Sequence, residues 1–216
     1  ITIVTGVQTC ALPICDIHGC YSALKQLMDE IWNENHLYIF TGDYLDRGIE
    51  NAETLNFIFD LSENKNTIFL EGNHELGLRN WANDLPVKSR EFNKRTLPQI
   101  DGKVSKKKAR MFCRNLRQFA YFKYGENVIL CTHGGVPLVP DKLLFFPTRN
   151  FINGIGTYQE ALDVDMAFET NMPENYIQIH GHRNMDDIPI NSTGTWRSFN
   201  LEGQVELGGE LRAVDW

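Results

Sequence analysis

Cys15-Asp16-Ile17-His18-Gly19 is the stretch from which this chain is best read. An aspartate and a histidine one residue apart, just before a glycine, put a carboxylate oxygen and an imidazole on the same side of a strand end, where both can reach one cation. Four partners follow: Gly42-Asp43-Tyr44-Leu45-Asp46-Arg47-Gly48, Gly72-Asn73-His74-Glu75, His133-Gly134-Gly135 and His180-Gly181-His182. Each comes just after an apolar run of strand character, so a parallel-type sheet would bring all five loops to one edge. Carboxylates, imidazoles and an amide gathered there point to catalysis.

Length and charge narrow the reading. The 216 residues suit one domain with a sizeable core. No apolar run approaches the roughly 18 residues of a membrane span, and no secretion signal opens the chain, so a cytoplasmic protein without membrane partners is expected. The cysteines form no C-x-x-C pair, which fits reduced thiols. Without a secretion signal the acceptor triplet Asn191-Ser192-Thr193 carries no meaning. A net charge of −7 argues against a general nucleic-acid binder, yet residues 88–117 hold eleven Lys or Arg against Glu91 and Asp101.

Along the chain, apolar spacing predicts a helix over residues 21–32 with Ser22 as its cap, and a strand over 37–40. A second helix capped by Asn51 precedes a strand over 67–70, and a polar helix runs from His74 to about Asn83, stopped by Pro86. The basic stretch that follows carries a helix from Ser105 to about Ala120, with Ala109, Phe112, Cys113, Leu116, Phe119 and Ala120 on its docked face. Residues 119–124 and 128–132 read as a hairpin, 136–172 as mainly loop and short helix, and 176–179 as a strand. The runs 195–201, 205–207 and 210–214 read as an antiparallel meander.

The five signatures, in this order, resemble the calcineurin-like metallophosphoesterases, in the phosphoprotein-phosphatase branch that holds bacterial serine/threonine phosphatases and symmetrical dinucleoside tetraphosphatases. The resemblance extends from Asp16 to about Leu211. It implies an α/β fold of four layers, α-β-β-α, with two mixed sheets and a metal site at the strand ends. It also implies two divalent cations, Mn²⁺ in the first place, with Fe or Zn²⁺ as alternatives. Asp16, His18 and Asp43 would hold one; Asp43, Asn73, His133 and His182 would hold the other, with Asp43 as the bridge. A metal-bound water would be the nucleophile. His74 would be the general acid, Asp46 would fix its tautomer, and Arg47 would offer its planar fork to the phosphate. Glu75 is expected to orient its loop, and His180 to be structural. Arg79, Arg149 and Arg183 are the candidates for a second phosphate-binding arginine.

The family's glycine before Asp16 is missing, and Cys15 stands in its place. Residues 4–14 look like the in-frame translation of a common sequencing-adapter oligonucleotide, with Cys15 as a hybrid codon at the junction. Pro13, which has no N–H for a ladder, is out of place in a central strand. Residues 1–14 are therefore expected to be foreign, replacing a native first strand, and to be poorly packed or to form only a makeshift strand beside 37–40. Residues 15–216 are expected to form a single domain, with a basic helical cap at about 84–120 bordering the groove.

The resemblance implies a phosphomonoesterase similar to serine/threonine protein phosphatases, acting on a phosphoprotein. A dinucleoside tetraphosphate hydrolase or a phosphatase of nucleic-acid ends would keep the same site and change the partner. A pseudo-enzyme that only binds partners is the non-catalytic alternative, and retention of every expected ligand speaks against it.

Overall fold

A computed structural model describes residues 10–141, 143–185 and 188–215. Three strands, β1 (Ala11–Ile14), β2 (Leu37–Phe40) and β3 (Thr67–Phe69), pair in parallel in the order β1-β2-β3. The crossovers are α1 (Tyr21–Ile31) and α2 (Asn51–Leu61), and α3 (Glu75–Ala82) follows β3. After a π-type turn at Phe92–Thr96 come α4 (Leu97–Ile100) and α5 (Lys106–Asn115). The second sheet, β4 (Phe119–Tyr124), β5 (Asn127–Thr132), β6 (Tyr176–His180) and β7 (Ser198–Asn200), runs in that order. There β4 is antiparallel to β5 and the other pairs are parallel. Two helices, α6 (Thr148–Ile152) and α7 (Ala161–Asn171), lie between β5 and β6 in sequence. The first sheet gains its mixed character from an antiparallel bridge between Ile14 and Ala213.

Period-two alternation sorts the side chains into layers. Leu12, Ile14, Tyr38 and Phe40 join Leu24, Leu55, Leu78 and Phe112 in the core beneath the helices. Ala11, Ile39 and Leu70 turn the other way and meet Ile129, Cys131, Ile177, Ile179 and Phe199 between the sheets. A smaller cluster of Leu130, Val136 and Phe151 covers the outer face of the second sheet. The result is the expected four-layer sandwich. Register then places the loops: Ile14 is level with Phe40 and Phe40 with Phe69, so the segments carrying Asp16, Asp43 and Asn73 leave the sheet side by side. Cys131, Ile179 and Phe199 are level likewise, which sends out His133 and His182 together.

Several expectations change. Ser22 lies inside the first turn of α1 and does not cap it; its N–H and hydroxyl go to the Glu50 carboxylate, an acceptor brought from outside the helix. Asn51 is the first residue of α2, and its amide serves the neighbouring loop, accepting from Asp46 N–H at 2.7 Å and donating to Gly48 O at 2.9 Å. α5 ends at Asn115, because Leu116 is extended and Arg117 pairs beside β3. The segment 136–172 contains a full helix, α7, whose weak amphipathicity hid it among Pro and Gly. The expected meander is absent among the described residues: β7 is short and parallel to β6, and Val205–Leu207 is a 3-10 turn.

The start of the chain differs most from expectation. Residues 1–9 lie outside the described residues, while Ala11, Leu12 and Ile14 are buried. The carbonyls of Cys10 and Ile14 accept from Leu37 and Thr41, so the intervening residue Pro13 faces away from β2, its carbonyl accepting from Val214 N–H. A proline with its missing donor turned off the ladder is compatible with an edge strand. Of the two expectations for this segment, residues 11–14 follow the strand beside Leu37–Phe40, and that strand is buried where poor packing was the alternative. No helix among the described residues is long and apolar enough to cross a membrane.

If β1 carries its share of the core, Ile14→Ala costs about 2–4 kcal/mol of unfolding free energy, as buried large-to-small changes do. Urea unfolding checks this. A loss below about 0.5 kcal/mol, typical of surface sites, would mark the strand as makeshift.

Candidate active site

Asp43 sits at the centre. It follows β2 with φ of 55° and is fully buried. Its Oδ2 lies 3.6 Å from His18 Nε2, and its Oδ1 lies 3.3 Å from His133 Nε2. One carboxylate thus faces two imidazoles with two different oxygens, the arrangement that a bridging position demands. His18 Nδ1 is directed at Leu45 O at 3.1 Å and His133 Nδ1 at Thr41 O at 3.0 Å. Both rings thereby present Nε2 to the interior. Asp16 Oδ1 lies 3.9 Å from His18 Nε2, and Asn73 Oδ1 lies 3.1 Å from His133 Nε2. His182 contacts Asp16 through its backbone N–H at 3.0 Å and brings its ring against His133, centroids 4.9 Å apart. All six side chains named as metal ligands therefore line one site.

Their free atoms show what the site lacks in protein partners. Asp16 Oδ1, His18 Nε2, Asp43 Oδ2 and His182 Nδ1 are buried without any hydrogen-bond partner. Each such atom costs about 1–3 kcal/mol when left unpaired, and cations coordinated by them remove that cost. Two groups close enough to share an ion overlap at Asp43: His18, Asp43 and His74 on one side, and Asp43, His133 and His182 on the other. Burial and the neighbouring His133 hold the His182 imidazole down to about 3, so its ring is neutral and its lone pair available. Burial lowers His18 as well. The residues fit a dinuclear divalent centre.

Beside this centre stands His74. Its Nδ1 meets Asp46 Oδ2 at 2.7 Å, and its Nε2 lies 3.8 Å from Asp43 Oδ2. Asp46 is itself held by the Thr96 hydroxyl and by Asn51 through its N–H. Burial works against the imidazolium, but Asp43 and Asp46 outweigh it and lift His74 to about 9. Arg47 also reaches the site, with Nη1 held by Glu206 Oε1 at 2.9 Å. Arg183 is excluded as a phosphate clamp: it is fully buried and spends its guanidinium on the carbonyls of Gly134, Ile155 and Thr157. Arg79 is paired with Glu71 at 2.6 Å, and Arg149 has no charged partner among the described residues. His180 is sealed in a buried network with Asp165 at 2.7 Å, to which Ser198 also donates, in keeping with a structural place.

Glu75 holds the frame. Its Oε2 accepts from Gly72 N–H at 2.7 Å and Asp43 N–H at 3.1 Å, and its Oε1 accepts from Tyr44 N–H at 2.9 Å. Two strand-end loops are thus stapled to the first turn of α3. Gly72 has to be a glycine, since a Cβ there would fall 2.2 Å from Asp43 Oδ1.

Two groups at the site, Glu202 and Thr96, were absent from the sequence reading, and a third, Cys15, was read there only as a replacement for glycine. Glu202 is fully buried, close to Asp16 and His18, and Thr96 supports Asp46 from the basic segment. Cys15 places its thiol against Asp16 and His133, with burial and Asp16 raising it well above an ordinary thiol. For Glu202 the signal was present: Ser198–Asn200 and Leu201 form an apolar-rich run followed by an acid and Gly203, the same strand-end pattern as the other loops.

Comparison with known proteins gives a consistent result. Residues 14–207 match the family model described as calcineurin-like phosphoesterase. An asymmetrical bis(5'-nucleosyl)-tetraphosphatase PrpE of Halalkalibacterium halodurans is 23% identical over 137 residues, which cover 57% of this chain and 56% of that protein. The serine/threonine-protein phosphatase PP1-delta of Caenorhabditis elegans is 43% identical over 63 residues, covering 28% of this chain and 21% of that one. The chain thus spans about half the length of the first relative and far less of the second. Among solved structures, a putative diadenosine tetraphosphatase superimposes with a TM-score of 0.69 at 14% identity, covering 99% of this chain and 92% of that chain. A Saccharomyces cerevisiae phosphatase with similarity to human PP5 gives 0.58 at 18% identity, covering 91% of this chain and 67% of that chain.

Replacing Glu75 with glutamine tests the staple. The amide presents an N–H₂ where backbone N–H groups need an acceptor, so Glu75→Gln lowers unfolding free energy by about 1–3 kcal/mol. Calorimetry with the metal-free protein reads the effect. A midpoint equal to the parent's would show that the loops hold themselves.

Proposed function

The chain belongs to the calcineurin-like phosphoesterase family, and on that premise we propose that it is a metal-dependent phosphoric-ester hydrolase working at the Asp43 centre. The observation that carries this reading is the set of buried, unpartnered donor atoms facing one another across Asp43, with a protonatable imidazole at their rim. Two divalent cations, Mn²⁺ in the first place, supply charge neutralisation on the phosphate and activation of water when bound. Asp16, His18 and Asp43 would hold one, and Asp43, Asn73, His133 and His182 the other.

The chain's own residues do the rest. As an imidazolium His74 carries a proton on Nε2 for the departing oxygen, and Asp46, accepting from Nδ1–H, fixes the ring and favours that charged form. Arg47 supplies N–H groups to the phosphate when Glu206 yields its hydrogen bond.

The sequence signatures favoured a phosphoserine or phosphothreonine substrate. A cleft of about 590 Å³ next to Asn73 favours the second reading, a dinucleoside polyphosphate. Arg79, Arg114 and Arg149 line it together with Glu71, Leu76 and Ile152. Arg114 and Arg149 have no charged partner among the described residues, so a second phosphate of the same substrate would meet unspent positive charge. The nucleic-acid reading is weakened, since Lys106 pairs with Asp84 and Lys108 with Asp60 at 2.8 Å on the helix layer. Cys10, Cys15, Cys20, Cys113 and Cys131 form no disulfide among the described residues, which suits a reducing, cytoplasmic setting.

Two measurements test this. His74→Asn lowers turnover about 10²–10⁴-fold for an alkyl phosphate or a phosphopeptide and much less for an aryl phosphate, whose leaving oxygen needs no proton. Equal losses on both would remove the acid role. Arg114→Gln raises KM several-fold for a dinucleoside tetraphosphate and leaves an aryl phosphate untouched. If KM stays put and a phosphopeptide is the better substrate, the phosphoprotein reading stands in its place.

A further inference from the structure

Glu202 lies two residues beyond β7, and its backbone is fixed: its N–H donates to Asn200 Oδ1 at 3.1 Å, and its carbonyl accepts from Asn184 Nδ2 at 2.8 Å and Arg212 Nη1 at 3.1 Å. The side chain runs inward and is fully buried. One carboxylate oxygen, Oε1, accepts from Gln204 N–H at 2.9 Å. The other, Oε2, has no hydrogen-bond partner and only a distant guanidinium, Arg47 Nη1 at 3.9 Å. An oxygen of Glu202, an oxygen of Asp16 and a nitrogen of His18 all lie within 4.8 Å of one another. Asp16 Oδ1 and His18 Nε2 also lack partners.

Two buried carboxylates that close repel each other, and the Gln204 N–H and the distant Arg47 guanidinium leave Glu202 Oε2 unpaired. A cation between the three groups removes that repulsion. We propose that Glu202 is a direct ligand of the cation held by Asp16, His18 and Asp43. This rests on the reading of the site as a dinuclear centre and adds a donor that its signatures do not contain.

The two positions then differ in kind. The Asp16 side has three carboxylates and one imidazole, a hard and strongly anionic set that suits Mn²⁺ or Mg²⁺. The His133 side has the shared carboxylate, one amide and two imidazoles, a softer and less charged set that suits Zn²⁺ or Fe.

The test uses the full chain and Mn²⁺ alone. Calorimetric titration of the metal-free parent should show two binding steps, and Glu202→Gln should weaken one of them tenfold or more while leaving the other within twofold. Because loss of an indirect contact can also weaken affinity, a Mn²⁺-loaded crystal structure of the parent supplies the second measurement. It should show a Glu202 oxygen at about 2.0–2.6 Å from the ion beside His18. An oxygen beyond 3 Å, or two steps unmoved by Glu202→Gln, overturns the assignment and leaves the dinuclear centre intact. A parent that binds no Mn²⁺ overturns the metal reading itself, and this assignment with it. The parent crystal decides the matter even if the variant does not fold.

Discussion

A single negative charge, placed where water cannot reach it, sets the terms for this fold. Asp43 is buried at the end of β2, and an isolated carboxylate in such a place would be prohibitively costly. Its neighbours are arranged around that problem. His18 and His133 face its two oxygens, the N–H of His74 donates to Oδ1 at 3.1 Å, and Glu75 holds the turn from which it projects. The three parallel strands ending level bring His18, His74 and Glu75 to this carboxylate, and β5 of the second sheet brings His133. Sheet register and charge compensation are therefore one constraint seen at two scales.

Backbone strain gathers at the same place. Asp16, His18, Asp43, Asp46, Arg47 and His182 all have positive φ, from 44° to 72°, a region that side chains other than glycine seldom adopt. Each such residue costs of order 1 kcal/mol or more and persists only because its surroundings leave no alternative. In this structure the surroundings are identifiable: Glu75 binds three backbone N–H groups, Asn51 binds the 46–48 turn from both sides, and His18 N–H donates to Asp43 O at 2.9 Å. Asp and His tolerate the left-handed region better than most residues. The site's composition thus answers to its backbone as well as to its chemistry.

That coupling explains what could be read from the chain alone. Strand-end loops were legible because an apolar run followed by glycine and an acid or imidazole leaves both a periodic and a chemical mark. Helices with strong apolar stripes were legible for the first reason alone. What escaped was structure satisfied from a distance. The cap of α1 comes from Glu50, far along the chain, so Ser22 was credited with a task it does not perform. Asn51 was credited with capping α2 when it serves the loop before it. α7 mixes acids among its apolar residues and buries only Ala161, Val164, Asp165 and Phe168, too faint a stripe to show. Glu202 was hidden because a short strand, β7, was read as part of a meander, which removed the strand end that gives the residue its meaning.

The placement of Pro13 has a bearing on how the molecule behaves among its own copies. An open sheet edge is a row of donors and acceptors on which a second chain can add a strand. On the outer edge of β1 one donor is missing by covalent structure, and the carbonyl beside it is already taken by Val214. Ala213 lies against Ile14, so the next rung is covered as well. A strand arriving from another molecule finds no unbroken ladder there, and this edge of the first sheet resists templated association while leaving the core face of β1 fully apolar.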